Sequence, residues 1–224
     1  MNSSVAISIS VALTATLLSL PPAVLVAWYL ERSRLPGRAV VEVGVFLPLV
    51  LPPVVVGYLL LKLFSPRGML GGFLSNLGMP VAFHWLGAVV AAGVAGFPLF
   101  VMMISLAMRA VDARYEVVSR SLGRTPWATF WRVTLPLSWP GIVSGAVIAF
   151  ARGLGEFGAT IVLAGRIPGE TETIPLRIYA ELEAPGGEAR IIGLVAASIV
   201  LCVVCVTAAR MIDRRWRARM ELGR

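Results

Sequence analysis

The chain has 224 residues, 58% of them hydrophobic and 14% charged, where an ordinary soluble domain carries roughly a quarter charged residues. Mean hydropathy is +0.84 and the formal net charge is +8. Much of the chain must therefore face lipid, which excludes a disordered chain, a disulfide-stapled secreted scaffold, a coiled coil and most cytosolic enzymes. Lys62, the only lysine, sits in Leu-Leu-Lys-Leu, so the chain carries no Gly-Lys-Ser/Thr phosphate loop of its own. The basic balance is that of a membrane protein with cytoplasmic arginines rather than of a nucleic-acid binder.

A bilayer core needs about 20 apolar helical residues, and five runs meet that need. The first, about 5–30, precedes the first charge, Glu31. It lacks the basic start and small-residue cleavage site of a signal peptide and is read as a retained span. The second, about 43–63, is charge-free from Val43 to Leu61 and contains Pro48, Pro52 and Pro53. Prolines break intrahelical hydrogen bonds, and such breaks survive in lipid only where protein or a cavity satisfies the backbone. Span two is therefore expected in the bundle interior, against a pathway or kinked for packing.

The third span is expected at about 85–108, with Phe83, His84 and Trp85 at the aromatic belt; His84 is assigned no chemistry. The fourth, about 137–164, carries a small-residue stripe at Gly141, Gly145, Ala149 and Gly153, suited to a close helix–helix or subunit contact. It also holds Arg152 and Glu156, one turn apart, with Gly155 and Gly158 beside them. A mid-membrane arginine is expected to face a cavity or a partner. Arg152 is thus a candidate for a pathway or gate with Glu156 holding it, the alternative being a permanent structural ion pair. The fifth span, about 191–209, contains Cys202 and Cys205, read as packing residues; with His84 alone beside them no zinc ligand set forms, and no metal or other cofactor is expected.

Five spans put the termini on opposite sides. One side collects Arg32, Arg34 and Arg38, the five arginines from Arg109 to Arg132, and the six from Arg210 to Arg224; the other has Arg67, Arg166, Arg177 and Arg190. Basic loops stay cytoplasmic, so the N-terminus is expected outside and the C-terminus inside. The expected organisation is an all-α integral membrane domain over 5–212, followed by a basic cytoplasmic tail, 213–224.

The loop 112–136 is too ordered for a connector. Asp112 is placed to cap a helix through Leu122, and Gly123 stands where a left-handed glycine ends it. Thr125-Pro126 starts a second helix with a Trp127, Phe130, Trp131 stripe, closed by Leu135-Pro136. Such helices dock into a partner's groove or lie on lipid.

Within it, Glu116–Pro136 resembles the coupling loop of bacterial ABC-importer permeases: two small residues, three others, glycine, nine others, an aliphatic, one other, Leu-Pro. Val118 and Ser119 fill the small pair, where alanines are usual, Gly123 the glycine, Val133 the aliphatic, then Leu135 and Pro136; Glu116 lies one residue early. The stretches LPLVLPPVVVGYLL (Leu47–Leu60), ARGLGEFGATI (Ala151–Ile161) and IPGETETIP (Ile167–Pro175) resemble the molybdate branch of that family. Sulfate permeases are similar at the Gly-Glu-aromatic-Gly segment and less so at the Leu-Pro-Pro run.

The resemblance implies a type I importer permease fold in the bacterial cytoplasmic membrane. It also implies a homodimer, two cytoplasmic ATPase subunits docked on the coupling loop, and an external binding protein delivering molybdate. The chain itself is then a transport subunit without a catalytic residue. Sulfate or tungstate is the alternative cargo; a secondary carrier or a non-transporting docking protein is the alternative class.

Overall fold

The computed structural model describes residues 2–32 and 36–222; Arg34 and Arg224 of the basic regions lie outside them. All regular structure among the described residues is helical. α1 (Asn2–Arg32) is unbroken although Pro21 and Pro22 lie inside it. α2 (Arg38–Val50) and α3 (Pro53–Phe64) follow, then the short α4 (Gly71–Asn76) and α5 (Trp85–Arg109).

The expected kinked second span is in fact two helices bent by 116°. Pro48 is tolerated inside α2; the break comes from Pro52 and Pro53 together. A residue before proline is pushed out of the helical region, so Leu51 (φ −68, ψ 144) and Pro52 (φ −54, ψ 134) are both extended. Pro53 then begins α3, where its missing N–H costs nothing.

Ala88, Val89 and Ala92 of α5 share a core with Val11 and Ala15 of α1, while Phe100, Val101, Ile104 and Met108 share one with Ala23, Ala27 and Leu30. The two helices therefore run parallel, so the bent α2–α3 pair must carry the chain back between them. Among the described residues four helices are long and apolar enough to cross a membrane, or five if the bent pair is one span.

The fourth span also departs from expectation. α6 (Ala113–Ser121) and α7 (Pro126–Thr129) lead through a π turn, Phe130–Thr134, into α8 (Leu135–Leu154). Leu135-Pro136 does not end a helix; one continuous rod runs from Pro126 to Leu154. The π turn makes this possible. Leu135 N–H donates to the carbonyl of Phe130, five residues back, and Pro136 follows at the start of α8, where a missing donor is tolerated. At its far end the rod stops at Leu154, with Gly155 (φ −90, ψ 6) as C-cap, ten residues before the expected limit. α9 (Gly158–Leu163), α10 (Ile174–Glu183) and α11 (Glu188–Leu222) complete the chain. The expected basic tail is continuous with α11 as far as Leu222.

The small-residue stripe lies in the centre of the bundle. α8 runs antiparallel to α5. A Cβ on Gly141 would collide with Ala107, one on Gly145 would sit 3.0 Å from Met103 Cβ, and one on Gly153 would meet Ala12 and Ala92 at 3.4 and 3.6 Å. Ala149, 5% exposed, puts its carbonyl against Gly96. The stripe is an intrachain helix contact, which close backbone approach requires.

Candidate functional site

The segment at the Arg32 end of the bundle is built as its residues dictate. Asp112 Oδ1 accepts the Arg114 N–H at 2.9 Å and Thr125 Oγ1 accepts the Ala128 N–H at 3.2 Å, satisfying helix-start donors. Between the two helices Gly123 has φ +82, the left-handed form expected of it. The two helices are fastened by a buried hydroxyl pair, Ser119 Oγ and Thr129 Oγ1, 3.0 Å apart.

The aromatic stripe is divided between an inward and an outward side. Phe130 is 1% exposed; its ring packs against Trp28 of α1 and Trp127, with centroids 5.6 and 5.5 Å away. Trp127 also meets Trp28 edge-on at 5.6 Å. Phe130 therefore anchors the segment to α1, Trp127 and Trp131 keep 48% and 52% of their surface exposed, and α6 with its C-cap adds an exposed apolar face of Tyr115, Val118 and Leu122, spaced i, i+3, i+7. Of the residues expected in this segment, Val118 is on the outer face, Ser119 is inside, Val133 and Leu135 are half-buried and Pro136 is exposed. Glu116 turns inward: Oε1 accepts from Arg32 Nε at 2.9 Å and from Thr134 Oγ1 at 2.8 Å.

At the opposite end, the two helix breaks meet. A Cβ on Gly57 of α3 would lie 2.8 Å from Ala159 Cα, and one on Gly158 of α9 would lie 2.7 Å from Pro53 Cβ. Pro52 and Pro53 are both exposed. Arg152 and Glu156 do pair, at 2.8 Å, but across the end of α8 rather than along a continuous helix. Glu156, 3% exposed, uses its other oxygen to accept the Ala159 N–H at 2.8 Å, which satisfies a donor at the start of α9. Arg152 keeps 32% of its side chain exposed.

Arg152 lies 17 residues beyond Leu135, roughly 26 Å along the helix, in the last turn of α8. Next to it an apolar cavity of about 400 Å³ is lined by Leu154, Gly155, Phe157, Tyr179 and Leu201; such a wall has no charge to offer an anion.

Sequence reasoning missed a polar cluster at this same end. Glu172, 4% exposed, accepts from Arg177 at 2.9 Å and Ser4 at 3.4 Å and lies 3.7 Å from Arg166. Arg177 and Arg190 both donate to Glu181; Arg190, with Arg177 assisting, holds the Glu181 carboxyl below the usual carboxylate range against the opposing effect of burial. Ser8 Oγ accepts the Ile174 N–H at 2.7 Å. The cluster ties the start of α1 to α10. Its sequence signal was the i, i+4 pair Arg177–Glu181 beside a Thr-Glu-Thr run, but partners 168 residues apart leave no local pattern. His84 Nδ1 lies 2.9 Å from Glu170, clipping together the loops before α5 and after α9.

Residues 19–218 match the family described as Binding-protein-dependent transport system inner membrane component. The chain is 46% identical to the Molybdenum transport system permease protein ModB of Escherichia coli K12, over 96% of this chain and 94% of that one. It is 40% identical to the protein of the same name from Haemophilus influenzae, over 99% and 97%. Identity to the sulfate transport system permease CysT of E. coli is 36%, over 85% of this chain and 70% of that one. Its fold resembles a chain of a bacterial alginate ABC transporter solved in complex with a pentasaccharide-bound periplasmic protein. The TM-score is 0.68 and the identity 23%, over 96% of this chain and 78% of that one.

Proposed function

The chain belongs to the family of binding-protein-dependent transport system inner membrane components, and from that premise we propose that it is the permease subunit of an ATP-driven importer of molybdate. The observation that carries the cargo is end-to-end identity of 40–46% with molybdenum permeases, above the 36% with a sulfate permease. The working unit in this reading is a symmetric homodimer with two ATPase subunits on its cytoplasmic face and a binding protein outside, N-termini outside and C-termini inside. The free α6 face of Tyr115, Val118 and Leu122 seats in a cleft of the ATPase. Nucleotide-driven closure of the ATPases then biases the spans between two arrangements, as any two-state carrier requires.

The pathway is proposed at the meeting of the two broken spans, since irregular backbone at membrane depth needs a protein neighbour or a water-filled cavity. Arg152, free on a third of its surface, supplies positive potential there, and Glu156 holds it.

The direct test loads proteoliposomes bearing the complex with labelled molybdate or sulfate through the cognate binding protein. ATP-dependent uptake preferring molybdate is expected; equal or greater sulfate uptake would reassign the cargo, and uptake without an ATPase would reassign the class. Subunit counting by native mass spectrometry is expected to give two copies of this chain per two ATPases; a single copy would contradict the dimer.

Gly123→Val is a third test. Among the described residues nothing lies within 4 Å of a Cβ at that position, so the change acts through its left-handed backbone, at a cost of roughly 1–2 kcal/mol. Normal abundance with ATP hydrolysis uncoupled from uptake is expected; normal uptake would remove Gly123 from the coupling role.

A further inference from the structure

The Arg32 end of the bundle holds a polar junction that a surface docking role for Glu116 does not explain. Glu116 lies on α6, between the exposed Tyr115 and Val117, yet its own side chain is only 18% exposed. A single oxygen, Oε1, takes two donors from two other elements: Arg32 Nε, the last residue of α1, at 2.9 Å, and Thr134 Oγ1, the last residue of the π turn, at 2.8 Å. The second arm of Arg32 donates to the carbonyl of Met108 at 2.8 Å, in the last turn of α5, where helix carbonyls lack intrahelical partners. One carboxylate and one guanidinium thus join α1, α5, α6 and the head of α8. Ser119 and Thr129 already lock α6 to α7, so α6 has little freedom to move without carrying the junction along.

We propose that Arg32, Glu116 and Thr134 form an internal clasp that transmits displacement of α6 to α1 and α8, and that Glu116 acts as a positioning residue within the permease rather than as a contact to the ATPase. Charge-assisted hydrogen bonds are short and strong, and all three elements meet at the clasp, so a shift of α6 passes to rigid spans without an intervening flexible segment. The π turn supports this placement. A wide turn is a point at which helix register can change, and Thr134 fixes its last residue to Glu116. The proposal rests on the reading of α6–α7 as the ATPase-docking segment.

The experiment uses the whole reconstituted complex and reads three quantities: ATPase subunits captured per permease, ATP hydrolysis, and anion imported per ATP. Thr134→Val is the mild probe, because it removes one hydroxyl and leaves Arg32 and Glu116 paired; Thr134→Ser retains the hydroxyl. Arg32→Met, Glu116→Gln and their double variant complete the set. The clasp predicts normal ATPase capture with anion per ATP reduced about tenfold in Thr134→Val, the scale of one lost hydrogen bond to a charged group. It also predicts wild-type behaviour in Thr134→Ser, and a double variant no worse than its singles, because both act through one junction.

A contact to the ATPase predicts instead that Glu116→Gln lowers capture while Arg32→Met and Thr134→Val behave as wild type; that result would overturn the clasp. So would an unchanged anion-to-ATP ratio accompanied only by lower abundance, the mark of a merely structural tie. Failure of the underlying docking reading is separately visible: ATPase capture would then be the same with and without Val118→Glu on the exposed face of α6, and the clasp would fall with it.

Discussion

Replacing Arg152 and Glu156 together by glutamine is expected to abolish anion uptake while leaving the complex assembled. The double change leaves the net charge unchanged, and Glu156→Gln conserves shape and retains an oxygen to accept the Ala159 N–H that the carboxylate now accepts at 2.8 Å. The start of α9 therefore keeps its partner, and no buried charge is left uncompensated. The single change Arg152→Gln is expected to be worse for folding than the double. It strands Glu156, 3% exposed, at a cost toward the lower end of the roughly 3–5 kcal/mol seen for broken buried pairs, because Arg152 itself is partly solvated. Uptake and complex yield, measured for both variants, separate the two roles. Wild-type uptake in the double variant would show the pair to be structural and move the pathway away from the end of α8.

Gly57→Ala and Gly44→Ala are expected to act in opposite directions, though both add one methyl to the same bent pair. At Gly57 the new Cβ would lie 2.8 and 2.9 Å from the Cα and carbonyl oxygen of Ala159 and 3.0 Å from Val162 Cβ. Backbone cannot rotate away, so α3 and α9 must separate, at the roughly 1–3 kcal/mol typical of overpacking. At Gly44 nothing among the described residues lies within 4 Å, and alanine recovers up to about 1 kcal/mol of helix propensity. The midpoint of thermal unfolding in detergent is expected to fall by several degrees for Gly57→Ala and to hold or rise for Gly44→Ala. Uptake is expected to fall with the former, since the two breaks would no longer meet. Equal midpoints would mean that the α3–α9 contact is not close in the assembled protein.

The signals at Asp112, Gly123 and Thr125-Pro126 were legible because they are local. They mark helix ends through groups within a few residues of each other, so one short stretch contains both donor and acceptor. The second span was harder. Its prolines announced a disruption, but Pro48 is absorbed inside α2 and only the adjacent pair Pro52-Pro53 sets two consecutive residues extended. The size of the resulting turn depends on where α3 finds its partner, and that partner, α9, is a hundred residues away. The fourth span was misjudged at both ends for a related reason. Leu135-Pro136 reads as a stop, yet a π turn lets the helix pass, while the Gly155–Phe157 interruption carries no proline and is held open by the Glu156 carboxylate.

By itself the sequence determined that the chain is an all-helical membrane protein, where its apolar runs lie, and that a helix–glycine–helix segment joins two of them. These follow from the thickness of a bilayer, the distribution of charge and the conformations open to proline, glycine and capping side chains, all short-range or compositional. Only the tertiary structure decided which faces are spent. Phe130 and Ser119 went inward and Tyr115, Val118 and Leu122 stayed free. The glycine stripe was taken up within the chain by α5, and Glu116 and Glu172 became hubs for partners 84 and 168 residues distant. A side chain on a helix has several neighbours it can satisfy, and which one it meets is fixed by how whole helices pack, a choice made by the close approach of backbones at Gly141 of the stripe and at Gly57 and Gly96, the last two marked by no pattern along the chain.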